Sequence, residues 1–90
     1  MRSTTIQVRN KLGLHARAAA QLVRVASGFE SEITLVDGAK SADAKGIMGL
    51  MMLAATQGTE LELRIDGPDE AVADKAVQQL FDSGFGENEI

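Results

Sequence analysis

His15, the chain's only histidine, stands in the segment Gly13-Leu14-His15-Ala16-Arg17, two residues ahead of an arginine. An imidazole can act as a nucleophile, as an acid or base, or as a metal ligand, and its surroundings decide among these. The glycine-containing turn at residues 10–13 gives way to a helical pattern from Ala16, which puts His15 at the helix start. The first amides of a helix have no intrahelical partner, and the macrodipole adds about half a positive charge there. Such a terminus receives an anion such as phosphate. The same field disfavours the imidazolium, so the expected nucleophile is a neutral ring with a free lone pair. Arg17 adds a permanently charged fork able to hold two phosphate oxygens. The expected phosphate seat is therefore Ala16, Arg17 and Ala18, with His15 and Arg17 as the reacting and stabilising side chains.

Other chemistries fit less well. A metal centre would need carboxylate or water ligands beside one histidine, and no acid lies within fourteen residues of His15 on either side. The expectation is no metal and no cofactor. A Ser-His-Asp arrangement stays open, although no G-x-S-x-G elbow is present and 90 residues leave little room for a substrate pocket. A plain surface histidine fits the same spacing.

Charge sharpens the choice. The net charge is −4, which opposes sequence-independent binding to nucleic acid. Residues 1–29 nevertheless hold five basic residues and no acid, whereas residues 30–90 hold four basic residues against thirteen acids. His15 thus sits in a positive field suited to an anionic group or an acidic partner. No cysteine is present, which removes disulfides and thiolate ligands. No apolar run has the length of a membrane span or the form of a signal peptide, so the expected location is the cytoplasm, without membrane insertion.

The elements that must position His15 follow from periodicity. Residues 4–9 alternate and predict a half-buried strand, and from Ala16 the residues Ala19, Leu22, Val23 and Ala26 repeat at helical spacing, with a stop at Gly28-Phe29. Residues 32–36 form a second strand, Asp37-Gly38 a hairpin turn, and residues 40–42 a short returning strand. Residues 47–53 suit a short apolar helix ending near Gly58, and residues 60–66 alternate without a break. Residues 70–83 are helical, with Val72, Ala76 and Leu80 in one row and Ala73, Val77 and Phe81 beside it. Residues 86–90 read as a frayed tail. The order β-α-β-β-α-β-α predicts an α+β fold, one domain over residues 1–90 with a mainly antiparallel sheet covered by helices on one face.

The run from Asn10 to Leu22, Asn-Lys-Leu-Gly-Leu-His-Ala-Arg-Ala-Ala-Ala-Gln-Leu, closely resembles the histidine-phosphorylation segment of HPr, the histidine-containing phosphocarrier family of the bacterial phosphoenolpyruvate phosphotransferase system. The likeness continues through Gly28-Phe29, Ala44-Lys45, the apolar helix and Gln57-Gly58-Thr59. It implies an open-faced β-sandwich of four antiparallel strands and three helices. It also implies that His15 accepts phosphate at Nδ1 from enzyme I and passes it to enzyme IIA-type acceptors in sugar transport. The chain is then a monomeric carrier rather than an independent enzyme. The helix 47–53 is apolar nearly all round, so Leu50 and Leu53 are expected in the core and some of Ile47, Met48 and Met51 at the surface. The resemblance makes Ile47, Met48 and Met51 a docking face, with Arg24 as a charged rim contact.

Two positions depart from the family. Ala18 stands where proline is usual, and it restores a backbone donor in the first turn. Gly46 stands where many members have a serine that is phosphorylated for regulation, so no such regulation is expected here. The missing serine and the ending at residues 80–85 lean toward a nitrogen-branch, NPr-like carrier, the first alternative. A regulatory binding module that docks without turnover is the second, and a small-molecule-binding regulatory domain the third.

Overall fold

In the computed structural model, which describes residues 1–87, the chain runs β1 (Arg2–Gln7), α1 (Ala16–Ala26), β2 (Glu32–Asp37), β3 (Lys40–Asp43), α2 (Ile47–Leu53), β4 (Glu60–Asp66) and α3 (Glu70–Asp82), followed by a short 3₁₀ turn (Gly84–Gly86). The four strands form one antiparallel sheet in the order β1-β4-β2-β3. The two central strands are thus β4 and β2, and they carry the strictest alternation. Leu61, Leu63 and Ile65 point inward from β4, and Ile33 and Leu35 from β2. Leu63 lies opposite Thr4 on one side and Leu35 on the other, so the register aligns the apolar face across the sheet.

Polar pairs cover the other face. Ser3 donates to Glu62 at 2.6 Å, and Arg64 grips the same carboxylate at 2.8 and 3.1 Å. That face needs no second layer, and the three helices lie together on the apolar side. Ala18, Ala19, Leu22 and Ala26 of α1, Leu50 and Leu53 of α2, and Ala73, Val77 and Phe81 of α3 complete one core. This is the expected open-faced sandwich.

Several boundaries differ from the expected ones. β1 begins at Arg2, because Arg2 pairs with Ile65. Its pairing runs on past Gln7, where Val8 donates to the Thr59 carbonyl at 2.9 Å and accepts from the Gly58 amide at 2.8 Å. α2 stops at Leu53, well before Gly58, because Ala54 turns left-handed at φ 53°. α3 buries the row Ala73, Val77 and Phe81, whereas Val72 is 63% exposed. Both rows have helical spacing, so periodicity could not rank them; the tilt of α3 on the sheet does. Asp74 on the buried side is neutralised by Arg2 at 3.1 Å and bonded by Gln78 at 2.9 Å.

The expectation of a frayed tail from residue 86 is corrected for residues 86 and 87. Gly84, Phe85 and Gly86 turn left-handed in succession, with φ of 63°, 58° and 71°, and fold the chain back over α1. The Phe85 ring is buried edge-on against Phe81. That burial outweighs the roughly 1–2 kcal/mol cost of a left-handed non-glycine residue. Residues 88–90 lie outside the described residues.

Candidate functional site

The loop that carries His15 is fastened from below. Leu14 is buried and its amide donates to the Ala55 carbonyl at 2.8 Å. Gly13 has φ +69°, and a Cβ there would stand 2.5 Å from the Ala55 oxygen, so the chain passes too close for any side chain. Asn10 closes the turn: its carbonyl accepts from the Gly13 amide at 3.1 Å, and its Nδ2 donates to the Gly13 carbonyl at 2.6 Å. Gln57 adds a bond to the Arg9 carbonyl at 3.0 Å. The segment after α2 thereby braces the whole turn.

His15 is the N-cap of α1, with extended backbone (φ −78°, ψ −179°), and its carbonyl accepts the Ala19 amide at 2.8 Å. No side chain of the described residues caps the start of the helix. Among the described residues, the amides of Ala16, Arg17 and Ala18 have no hydrogen-bond acceptor. Because position 18 is alanine, all three are donors. Ala16 and Arg17 are exposed, and Ala18 is buried. The structure therefore places His15 at the positive end of α1, with Arg17 in its first turn.

The ring itself is partly covered. Its side chain is 27% exposed, and Nε2 is hydrogen-bonded to Oε2 of Glu87. The other carboxylate oxygen of Glu87 accepts Asn10 Nδ2 at 3.1 Å. These bonds, that from His15 foremost and then that from Asn10, hold the Glu87 carboxyl below its ordinary range against the opposing effect of burial, and the charge of Arg17 acts in the same sense. Nδ1 makes no hydrogen bond to any described residue. With Nε2 donating its proton to the carboxylate, the lone pair of the neutral ring lies on Nδ1.

Glu87 is a site residue that sequence reading missed. It lies 72 positions from His15, so no local spacing connects them. The only signal was Gly84-Phe85-Gly86, an aromatic between two glycines, which permits the left-handed reversal that delivers Glu87.

The expected contact face divides as its chemistry requires. Leu50 and Leu53 are buried, and Ile47, Met48 and Met51 are 39%, 71% and 42% exposed. Met52 and Leu12 are exposed as well and were not anticipated. Arg24 is exposed in the last turn of α1. No helix among the described residues is long and apolar enough to cross a membrane.

Comparison with known proteins places this geometry. Residues 2–83 match the family model described as the phosphotransferase-system HPr component phosphorylation site. The phosphocarrier protein HPr of Xylella fastidiosa (strain Temecula1) is 51% identical over 83 residues, covering 92% of this chain and 93% of the relative. The phosphocarrier protein NPr of Escherichia coli K12 is 40% identical over 85 residues, covering 93% and 94%. The crystal structure of an HPr from Thermoanaerobacter tengcongensis superposes with a TM-score of 0.94 at 45% identity, covering 99% of this chain and all of that one. Agreement of sequence, fold and near-complete coverage decides the matter: the chain belongs to the HPr family, the phosphocarriers of the phosphotransferase system.

Proposed function

We propose that this protein takes a phosphoryl group from phospho-enzyme I onto Nδ1 of His15 and delivers it to enzyme IIA-type acceptors, as a monomer in the cytoplasm. The observation that carries the reading is the ring at the open helix end, with Nε2 engaged by Glu87 and Nδ1 without a hydrogen-bond partner among the described residues. An incoming phosphoryl group meets a lone pair, the amides of Ala16, Arg17 and Ala18, and the Arg17 guanidinium. Its charge is thereby held without a metal ion. Ile47, Met48 and Met51, an exposed apolar face on the helix that leads up to the His15 loop, form the docking surface, and Arg24 meets acidic groups at its rim.

The test is direct. Incubated with enzyme I and labelled phosphoenolpyruvate, the protein acquires an acid-labile, base-stable phosphate that His15→Ala abolishes. Absence of label on the unaltered protein would sink the reading. A nitrogen-branch carrier is the second reading, favoured by Gly46 in place of the regulatory serine. The higher identity to the HPr relative than to the NPr one supports the sugar branch. Transfer of label to sugar-branch or nitrogen-branch acceptors separates the two.

A further inference from the structure

Glu87 reaches His15 through a segment that is built rather than trailing. Three consecutive left-handed residues and a buried aromatic ring bring its backbone over the start of α1. Asn10, only 2% exposed, then fixes the carboxylate. Both N–H groups of its amide are committed, one to the Gly13 carbonyl and one to Glu87, while its Oδ1 is buried with no partner among the described residues. Turning the amide over would set that oxygen against two acceptors, so the observed orientation is the one the site enforces. One residue therefore ties the His15 turn to the carboxylate that touches the ring.

We infer that Glu87, held by Asn10, is a positioning residue that keeps a proton on Nε2 of His15 through the whole phosphoryl cycle. The inference rests on the reading of His15 as the carrier. In the resting protein a carboxylate on Nε2 selects the Nε2–H tautomer, which leaves the lone pair on Nδ1. When Nδ1 forms its bond to phosphorus, the donor's bond to that phosphorus breaks with its electron pair returning to the donor. The imidazole becomes a cation that still carries the Nε2 proton, and the Glu87 carboxylate lies against that charge. On delivery the Nδ1–P bond breaks, its electron pair returns to Nδ1, and a neutral imidazole leaves. The proton on Nε2 never has to be supplied or removed. The two ring nitrogens face opposite ways, so the carboxylate and the phosphoryl group do not compete for one seat.

Among the described residues, few other charges lie on the elements around the ring. Arg17 lies on α1, Lys11 in the loop before it, and Arg9 is paired with Asp82 at 3.5 Å; α2 and residues 54–59 carry none. Glu87→Gln keeps an oxygen for Asn10 but removes the charge, and its amide can donate to Nε2 as readily as accept from it. The experiment compares the unaltered chain with Glu87→Gln and Asn10→Ala. Ring ¹⁵N spectra of the neutral imidazole should show a single Nε2–H tautomer in the first and a mixture in Glu87→Gln. Hydrolysis of the phosphoprotein, prepared with enzyme I and labelled phosphoenolpyruvate, should follow a pH profile displaced by about one unit toward acid in Glu87→Gln, since the variant no longer favours the protonated ring. Asn10→Ala should move the profile in the same direction by less. Spectra and profile both unchanged in Glu87→Gln, on a chain that takes label normally, would overturn the inference and leave the carrier reading standing. An unaltered chain that takes no label would overturn both.

Discussion

Phe85 packs edge-on against Phe81, ring centroids 4.8 Å apart at 64°, while its own backbone is left-handed at φ 58°. The pair anchors the turn that leads to Glu87. Phe85→Ala keeps the unfavourable φ and loses the burial that offsets it, so it should cost about 3 kcal/mol. Chemical denaturation measures that loss. The same variant should also loosen the contact between Glu87 and His15, visible in the ring resonances.

In the proposed function Arg17 supplies the guanidinium of the phosphate seat, and it makes no salt bridge among the described residues. Its removal should leave stability nearly unchanged. Arg17→Ala should lower the rate of phosphorylation by enzyme I about 10–100-fold, the scale of losing one charge-stabilising donor. Arg17→Lys should recover only part of it, since an ammonium cannot form the two-pronged contact. Equal rates for all three chains would remove Arg17 from the phosphate seat.

Ala54 ends α2 in the left-handed region, at φ 53° and ψ 37°. Its side chain is exposed, so nothing is lost by trimming it. Ala54→Gly should raise stability by about 1 kcal/mol, relief of the left-handed penalty outweighing the added freedom of the unfolded chain. Thermal unfolding checks the sign.

Gly46 is the N-cap of α2, with extended φ of −120°, and a Cβ there would meet only the Asp43 carbonyl at an ordinary 3.7 Å. Gly46→Ser should therefore fold normally and gain a few tenths of a kcal/mol from the new cap. A serine kinase acting at this position in relatives should phosphorylate the variant and leave the parent unmodified. Mass spectrometry gives the answer, and phosphate on Ser41 of the parent would contradict it.

Asp69 accepts the Ser31 hydroxyl and the amides of Glu30 and Ser31, at 2.9 and 3.0 Å for the amides, and these bonds hold its carboxyl below the ordinary range. A depressed folded-state pKa favours folding above the unfolded value, near 3.9, and that contribution disappears as pH falls through the folded-state value. Asp69→Asn should thus lower stability at pH 7 and flatten its decline below about pH 4. Urea midpoints taken from pH 2 to 7 follow both effects.

Most of the fold was legible because it rests on local patterns. The alternation at residues 60–66 specifies a strand wherever it lies, and the apolar repeat of α1 specifies a helix with one covered face. Where two patterns were equally good, reading along the chain ran out. The rows of α3 differ by a rotation of the helix, and only the sheet beneath decides that Ala73, Val77 and Phe81 go in while Val72 stays out. Likewise α2 is apolar on all sides, and the single sheet leaves Met48 and Met52 uncovered.

The sequence by itself determined that a lone histidine opens a helix, that Arg17 follows it, and that the surrounding 29 residues hold no acid. Those are properties of neighbours along the chain, and local backbone rules convert them directly into a helix terminus with free amides beside the ring. Only the tertiary structure decided that an acid does reach His15. Glu87 arrives from the far end of the chain because a left-handed turn and a buried phenylalanine reverse its course. Such a meeting depends on how helices pack on the sheet, and no spacing along the sequence encodes it.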